Sequence, residues 1–321
     1  MLNNIQRLLN DTSVIKQETL QSLWSGSGSI VRYFSEHKQQ SYIVKQIKTD
    51  NENLSHPRGW NTSTSHQRKL TSYKVELAFY QQFAKHTSDT CKVPRLIACE
   101  SRADGCLLIL EDLDDIGFAV RKDTGDWQTV KLGIRWLANF HAKFMFNDNQ
   151  ELWQQGGYWH LGTRQDEFNA MPNGDLKQAA LKLDLALQQA KYQTVLHGDA
   201  KLENMCFNLN GDDVALVDFQ YAGKGVGIVD LAYFVGSAFH QTELEIYHDD
   251  ILNEYFAQLK LALTSEKRTL DFSELEQEYR RLYPIAWADF HRFLIGWNPK
   301  SWKINNYIKT MTERALTELE Q

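Results

Sequence analysis

Residues 197–220, HGDAKLENMCFNLNGDDVALVDFQ, hold side chains whose types and spacing could support phosphoryl transfer. Asp199 and Asn204 stand five positions apart between two short apolar runs, and Asp218 follows at the end of a predicted strand. Such a reaction needs a carboxylate that orients an attacking hydroxyl, and oxygen ligands that hold Mg²⁺ against the phosphates. Since buried carboxylates are costly unless something pairs with them, we expect these three side chains to meet around one charge.

The N-terminal part of the chain is predicted to be mostly β-structure. Residues 1–24 place apolar side chains at helical spacing, and SGSGS (25–29) then breaks the pattern. The runs at 30–34 and 41–47 predict a hairpin, and the polar stretch 50–68 predicts a long loop. One helix and two more strands are predicted at 69–84, 93–100 and 106–113.

The remainder of the chain is predicted to be mostly helical. Strong amphipathic patterns cover 127–145 and 175–190, and a short apolar strand is predicted at 215–219. The sequence therefore predicts an α+β fold of two lobes. A small β-rich N-terminal lobe would take residues 1–110, and a larger helical lobe would take residues 111–321.

Composition narrows the classes of partner. The chain has 321 residues, 42% of them hydrophobic, and a net charge of −6 without basic clusters, which disfavours nucleic acid as a partner. No run of about 18 apolar residues predicts a membrane span, and the N-terminus lacks the apolar stretch of a signal peptide. The four cysteines show no metal-binding spacing and favour reduced thiols in the cytoplasm. The oligomeric state stays open.

Several stretches resemble one known superfamily. HGDAKLEN (197–204) resembles the catalytic loop of protein-kinase-like enzymes, where protein kinases carry H-R-D-L-x-x-x-N. His-Gly-Asp is the form of the aminoglycoside phosphotransferase and choline kinase branch, whose second metal motif and following helix resemble 216–220 and 227–235. The combination looks closest to the ecdysteroid-kinase-like (CHK-type) small-molecule kinases. The resemblance implies a bilobal protein-kinase-like fold that uses ATP and Mg²⁺.

The resemblance assigns roles within the catalytic loop. Asp199 matches the catalytic base, and Asn204 and Asp218 match the two Mg²⁺ ligands. Lys201 matches a lysine that approaches the transferred phosphate in protein kinases, although a solvated loop lysine is an equal alternative.

Two further positions match residues that support the loop in the resembling family. His197 matches the loop histidine, which braces the loop and does not take protons. Asp230 matches a buried aspartate that bonds to the catalytic-loop backbone. Both are therefore expected to be structural.

The resemblance also assigns a grip on the nucleotide phosphates to the N-terminal lobe. YIVKQI resembles the V-A-I-K strand of protein kinases and would put Lys45 on the α- and β-phosphates, oriented by Glu76. SGSGS would supply a phosphate-covering turn through Ser27 and Gly28, although it departs from G-x-G-x-x-G and such a run is more often a flexible turn.

The stretch LEDL, at the start of the predicted helical lobe, resembles the hinge of the family. Backbone groups near Glu111 and Leu113 would bond the adenine ring. This stretch is also the predicted linker between the two lobes.

The spacing after the metal motif separates two classes of acceptor. Only eleven residues lie between Asp218 and Asp230, there is no A-P-E, and Gln220 replaces the glycine of D-F-G. This leaves no room for a peptide-binding activation segment. The prediction is therefore transfer to a hydroxyl of a small molecule, such as choline or ethanolamine, a sugar, an aminoglycoside or a sterol.

Two alternatives to this prediction remain, and the walls of the acceptor pocket stay open. A pseudokinase that binds ATP as a scaffold, or a protein kinase, is less favoured. Aromatic and polar residues of the helical lobe either line the pocket or pack helices together; they are Trp153, Tyr158, Trp159, Tyr283, Trp287, Asp289 and His291.

Overall fold

A five-stranded antiparallel sheet forms the N-terminal lobe. The computed structural model describes residues 1–22, 28–48, 63–102, 105–147 and 150–320. The strands of the sheet are β1 (Val14–Ser22), β2 (Gly28–Ser35), β3 (Gln40–Lys48), β4 (Leu96–Arg102) and β5 (Gly105–Glu111). Their spatial order is β1-β2-β3-β5-β4. The predicted hairpin is confirmed, since β2 pairs with β3 along its whole length.

Alternation along β3 gives its two faces different partners. Tyr42 and Val44 lie in a small apolar core that is closed by Ile5 and Leu9 of helix α1 (Leu2–Leu9). Lys45 points to the opposite face, and its ammonium reaches a carboxylate of helix α2 (Ser63–Ala78). The period of the strand therefore aims this lysine away from the small core and toward the other lobe.

The predicted helix over residues 1–24 is wrong beyond its first third. Helix α1 ends at Leu9, and Asn10 adopts a left-handed conformation with φ of 48°. Residues 14–22 form strand β1, in which only Val14 is buried. Because an almost fully exposed strand carries no alternating apolar pattern, the sequence gives no signal for it.

The predicted loop at 50–68 is partly wrong. Residues 50–62 lie outside the described part of the chain, but helix α2 already begins at Ser63. Arg68 in this early part of α2 donates to the backbone oxygen of Thr163, 2.7 Å away. This contact with the helical lobe helps hold a polar helical turn that periodicity could not show.

Helices build most of the C-terminal lobe. They are α3 (Trp127–Lys143), α4 (Gln165–Ala170), α5 (Asp175–Gln188), α6 (Ile228–Ala238), α7 (Gln241–Ile246), α8 (His248–Ser265), α9 (Phe272–Trp297) and α10 (Asn306–Glu318). The predictions at 127–145 and 175–190 are confirmed by α3 and α5. Within the described ranges, none of the helices is long and apolar enough to cross a membrane.

Four short strands interrupt these helices and carry the loops of interest. They are β6 (Thr194–Leu196), β7 (Met205–Phe207), β8 (Val214–Leu216) and β9 (Gly223–Gly225). Strand β6 pairs with β9, and β7 pairs with β8. The strand predicted at 215–219 ends earlier, at Leu216, because Asp218 has a φ of 69° that no strand accommodates. Together these elements give the expected α+β fold, while the boundary at residue 110 stays a prediction.

Candidate active site

The loop after β6 begins with a turn that only glycine fits. Gly198 has a φ of 80°, and a Cβ built there would stand 2.0 Å from the backbone oxygen of Tyr221. Any other residue would be both strained and in collision. The loop then runs into a 3₁₀ turn at Leu202–Asn204 and enters β7.

Asp230, on α6, anchors this loop from below. Its carboxylate accepts hydrogen bonds from the backbone N–H groups of His197, at 2.6 Å, and Gly198, at 3.0 Å. The same carboxylate lies 3.3 Å from Nε2 of His141, whose Nδ1 lies 2.9 Å from the hydroxyl of Tyr255. All these groups are buried, so the network fixes the loop from inside the core. Sequence reasoning assigned no role to His141.

His197 is positioned as a brace. Its Nε2 donates to the backbone oxygen of Val217, 3.0 Å away, and its Nδ1 accepts from the backbone N–H of Asp199. The ring also packs against Phe219, with centroids 4.5 Å apart. Burial lowers the pKa of this histidine. The ring is therefore neutral, both of its nitrogens are hydrogen-bonded, and it links the loop to the end of β8.

Three side chains surround the carboxylate of Asp199. The hydroxyl of Tyr233 donates to Oδ1 at 3.0 Å, and Lys201 Nζ lies 3.1 Å from Oδ2. Asn204 donates from Nδ2 to the backbone oxygen of Asp199 at 2.8 Å and to Oδ2 at 3.2 Å. Burial raises the pKa of Asp199, which suits a group that receives a proton. Tyr233 was missed by sequence reasoning, although it stands one helical turn after Asp230.

Asn204 and Asp218 lie at the same end of the β7–β8 hairpin. The backbone N–H of Val217 donates to the backbone oxygen of Asn204, 3.0 Å away, which brings the two segments together. The left-handed backbone of Asp218 is an uncommon conformation for a residue with a side chain, and such outliers cluster at functional sites. Its carboxylate keeps 36% of its surface exposed.

The donor set at this hairpin end fits a hard cation. Over the described ranges, no three His, Cys, Asp or Glu side chains group as a ready-made metal site. A cation here would take the Asp218 carboxylate and the Asn204 amide oxygen, together with oxygens from a bound substrate. Few protein ligands and several substrate oxygens are typical of Mg²⁺.

Lys45 bridges the two lobes. Its ammonium lies 2.7 Å from the carboxylate of Glu76 on α2 and 3.3 Å from that of Asp218. Burial alone would lower the pKa of Lys45, but the two carboxylates outweigh it and the pKa is raised. The lysine is therefore a fixed positive charge. The adjacent Phe219 stacks on Phe79, with centroids 3.7 Å apart, and holds the same junction through apolar contact.

A second lysine, Lys69 on α2, also faces this junction. Lys69 stands seven residues before Glu76, which places both on one face of the helix. Burial and the nearby charge of Lys45 lower the pKa of Lys69 to about 8. Sequence reasoning missed Lys69, although the spacing from Glu76 was a usable signal.

The predicted phosphate turn is only partly within the described residues. Ser27 lies outside them, and Gly28 begins β2 with a φ of 140°. A Cβ on Gly28 would stand 1.9 Å from the backbone oxygen of Gln46, so packing against β3 already requires this glycine. The predicted turn follows strand β1 and leads into strand β2, whereas the sequence predicted that it would follow a helix.

The predicted hinge follows the end of β5. The backbone N–H of Glu111 donates to Arg95, and the backbone oxygen of Leu113 accepts from Phe118. The side chain of Glu111 pairs with Arg95 at 2.7 Å. These bonds leave the carbonyl of Glu111 and the N–H of Leu113 as the backbone groups to consider for a base.

Aromatic rings wall the other side of Asp199. The ring of Trp159 lies 4.8 Å from that of Tyr233, and Tyr158 lies 5.5 Å from it. Trp159 and Asp289 also border a cavity of about 200 Å³. Three other candidates follow the packing alternative: Tyr283 and Trp287 contact each other, and His291 bonds to Thr312. Of the remaining two, Asp289 pairs with Arg292 and Trp153 donates to the backbone of Gln220.

Solved structures that are similar to this chain include three phosphotransferases. An ethanolamine kinase from Plasmodium vivax is 14% identical, with a TM-score of 0.52, over 100% of this chain and 87% of its own. An aminoglycoside phosphotransferase from Streptomyces rimosus, solved with ADP and streptomycin, has 14% identity and a TM-score of 0.49 over 89% and 98%. A microcompartment-associated aminopropanol kinase has 13% identity and a TM-score of 0.48 over 99% and 95%. The first of these likenesses shows the protein-kinase-like fold.

Sequence comparison gives the family directly. No curated protein sequence matches the chain significantly. A family model described as the phosphotransferase enzyme family matches residues 20–267, which is more than half of the chain. The resemblance to the aminoglycoside phosphotransferase and choline kinase superfamily is thereby confirmed, while the closer placement beside ecdysteroid-kinase-like enzymes stays a prediction. The chain belongs to the phosphotransferase enzyme family.

Proposed function

We propose that this protein transfers the γ-phosphate of ATP, in the presence of Mg²⁺, to a hydroxyl group of a small molecule. The observation that carries the proposal is the bridge from Lys45 to both Glu76 and Asp218, beside an Asp199 that is held at three points. This supports the proposal because the lysine and the carboxylate that phosphoryl transfer needs are each held by neighbouring side chains.

In the proposed reaction Asp199 orients the acceptor hydroxyl and receives its proton. A bond forms between the acceptor oxygen and the γ-phosphorus, the bond from that phosphorus to the bridging oxygen breaks, and ADP leaves. The raised pKa of Asp199 supports a late proton transfer. Lys201 pairs with Asp199, and in the proposed reaction it would also contact the transferred phosphate.

Asn204 and Asp218 would hold Mg²⁺, which, when bound, neutralises charge on the β- and γ-phosphates. Lys45 would contact the α- and β-phosphates, kept in place by its ion pair with Glu76. Lys69 faces the same place and would add a further positive charge.

The remaining nucleotide contacts come from the strand ends. Ser27 and Gly28 would cover the phosphates, because their segment connects β1 to β2. The carbonyl of Glu111 and the N–H of Leu113 would bond adenine. A division near residue 110 would then place the nucleotide between the two lobes.

A small acceptor is favoured over a peptide by the elements that follow the metal motif. Strand β9 begins at Gly223 and α6 at Ile228, so structured elements fill the short distance from Asp218 to Asp230. The aromatic rings beside Asp199 would form one wall of the acceptor site. The choice among amino alcohols, sugars, aminoglycosides and sterols belongs to experiment, and a cytoplasmic location is part of the same proposal.

The test is a screen for ATP consumption with amino alcohols, sugars, sugar acids and steroids, with and without Mg²⁺. The Asp199→Asn variant is the blank, and Asp212→Asn, at an exposed turn in the same segment, is the matched control. At least one acceptor should support turnover in the wild type and the control but not in the blank. Wild-type turnover in the blank would contradict the role of Asp199, and Mg·ATP binding without any transfer would favour the scaffold alternative.

A further inference from the structure

Lys303 is a second lysine that reaches the surroundings of Asp199. It lies in the connection between α9 and α10, and its ammonium stands 5.3 Å from the ring centroid of Tyr233, whose hydroxyl bonds to Asp199. The rings of Phe290 and Trp302 lie 5.8 Å and 5.6 Å from the same ammonium. The charge is therefore held on aromatic faces at the acceptor side of the site.

Among the residues that the structure describes, none forms an ion pair or a hydrogen bond with the ammonium of Lys303. Lys201, in contrast, pairs with Asp199 at 3.1 Å. Burial lowers the pKa of Lys303 to about 8, despite attraction from Glu203 and Asp199. A half-buried cation without an anionic partner is incompletely compensated, so an anion placed there would gain a favourable contact.

We propose that the acceptor carries an anionic group, a carboxylate or a phosphate, in addition to its hydroxyl, and that Lys303 binds this group while Asp199 faces the hydroxyl. The inference rests on the proposed function. A cationic acceptor would bring a second positive charge to rings that Lys303 already covers, and would have to displace it. A neutral acceptor would leave the lysine without a partner.

The experiment compares acceptors that share a skeleton and differ in charge. One set is glucuronate, glucose and glucosamine, and the other is glycerate, glycerol and 2-amino-1,3-propanediol. Binding to the Mg·ADP-loaded protein is measured by calorimetry, and turnover with ATP is measured in parallel. The proteins are the wild type, Lys303→Met and Lys303→Glu, with Lys300→Met as a control at an exposed lysine in the same connection.

In the wild type we expect the acid of at least one set to bind about tenfold more tightly than its neutral and cationic counterparts. Lys303→Met should remove this preference through KM with kcat nearly unchanged, Lys303→Glu should reverse it, and Lys300→Met should keep it. A wild type without preference for either acid, or a preference that survives in Lys303→Met, overturns the inference. Failure of Mg·ADP to bind, or acid binding with no transfer above the Asp199→Asn blank, would instead overturn the proposed function.

Discussion

Lys45 contacts Asp218, and Lys303 lies over the ring of Tyr233, which bonds to Asp199; the surroundings of these two lysines differ. Lys45, on β3, lies 2.7 Å from the carboxylate of Glu76 on α2 and 3.3 Å from that of Asp218 after β8. Lys303 lies on aromatic rings in a connection between helices, without a carboxylate in contact among the described residues. On the side of Lys45 the charges are balanced within the protein. On the side of Lys303 the positive charge would be balanced by a substrate.

This difference suggests a division of labour. In the proposed function the side of Lys45 binds the nucleotide, and its groups are held in place by ion pairs. The side of Lys303 would bind the acceptor, with the rings setting the shape of the site and the lysine its charge. Catalysis sits in shared loops and specificity in pocket walls.

The largest effect on activity and stability is expected from removing Lys45, whose charge is balanced by two carboxylates. Lys45→Met leaves the buried carboxylate of Glu76 without its partner, so kcat/KM should fall by about 10²-fold or more and the protein should be destabilised by about 3 kcal/mol. Turnover and urea unfolding measure the two effects. Lys48→Met, at the exposed end of the same strand, is the control.

A double variant separates the two effects of this change. Lys45→Met combined with Glu76→Gln should recover much of the stability but none of the activity, because the buried charge is gone while the phosphate contact is still absent. Recovery of turnover in the double variant would show that Lys45 acts only as a structural partner of Glu76.

The next effect concerns the support that both sides share. Asp230→Ala would leave two buried N–H donors of the catalytic loop without an acceptor. Turnover should fall, because the loop that carries Asp199 would be displaced. The free energy of unfolding should also fall, by about 3 kcal/mol. Chemical denaturation measures this. Asp89→Ala, which removes an exposed ion pair, should stay within about 0.5 kcal/mol. Equal effects of the two variants would contradict the anchoring role.

A smaller effect is expected on the aromatic side. Tyr233→Phe removes a donor to the ionised form of Asp199, so the pKa of Asp199 should rise further. Because a catalytic base works only when deprotonated, the acid limb of the kcat–pH profile should move to higher pH, and kcat should fall about fivefold. Tyr247→Phe, whose ring stacks on Trp127, should leave the profile in place. An acid limb that does not move in Tyr233→Phe would show that Tyr233 does not affect the pKa of Asp199.

The smallest effect distinguishes the two lysines whose pKa values lie at about 8. Lys69 loses its charge as the pH rises through this value, so Mg·ADP affinity should fall about threefold between pH 7 and pH 9. Lys69→Met should bind more weakly at pH 7 and show a flatter profile. Lys303→Met should keep the wild-type profile, since its charge lies on the acceptor side. Calorimetry of Mg·ADP binding across this pH range checks the prediction. If affinity falls equally with pH in all three proteins, Lys69 does not contact the nucleotide.

The sequence predicted the balanced side better than the aromatic side. Asp199, Asn204 and Asp218 stand close together in one segment, and their chemistry is legible from residue type alone. Lys45 and Glu76 were assigned through the resemblance of YIVKQI to the V-A-I-K strand of protein kinases. The ion pairs that the structure shows are thus contacts between residues that the sequence had already singled out.

The aromatic side was not predictable because its parts are distant in the chain. Tyr233 reaches Asp199 from α6, and Lys303 reaches Tyr233 from the connection after α9. No local period reports such a meeting. Strand β1 was missed for a different reason, since a strand with one buried residue has no apolar alternation to detect.

The central claim is that Asp199 acts on the acceptor and that nucleotide binding does not depend on it. The direct measurement is turnover and Mg·ADP affinity of Asp199→Asn beside the wild type, with the best acceptor of the screen. We predict a loss of turnover of about 10³-fold or more with Mg·ADP affinity unchanged within about threefold. Retained turnover, or an equal loss of Mg·ADP binding, would contradict the claim.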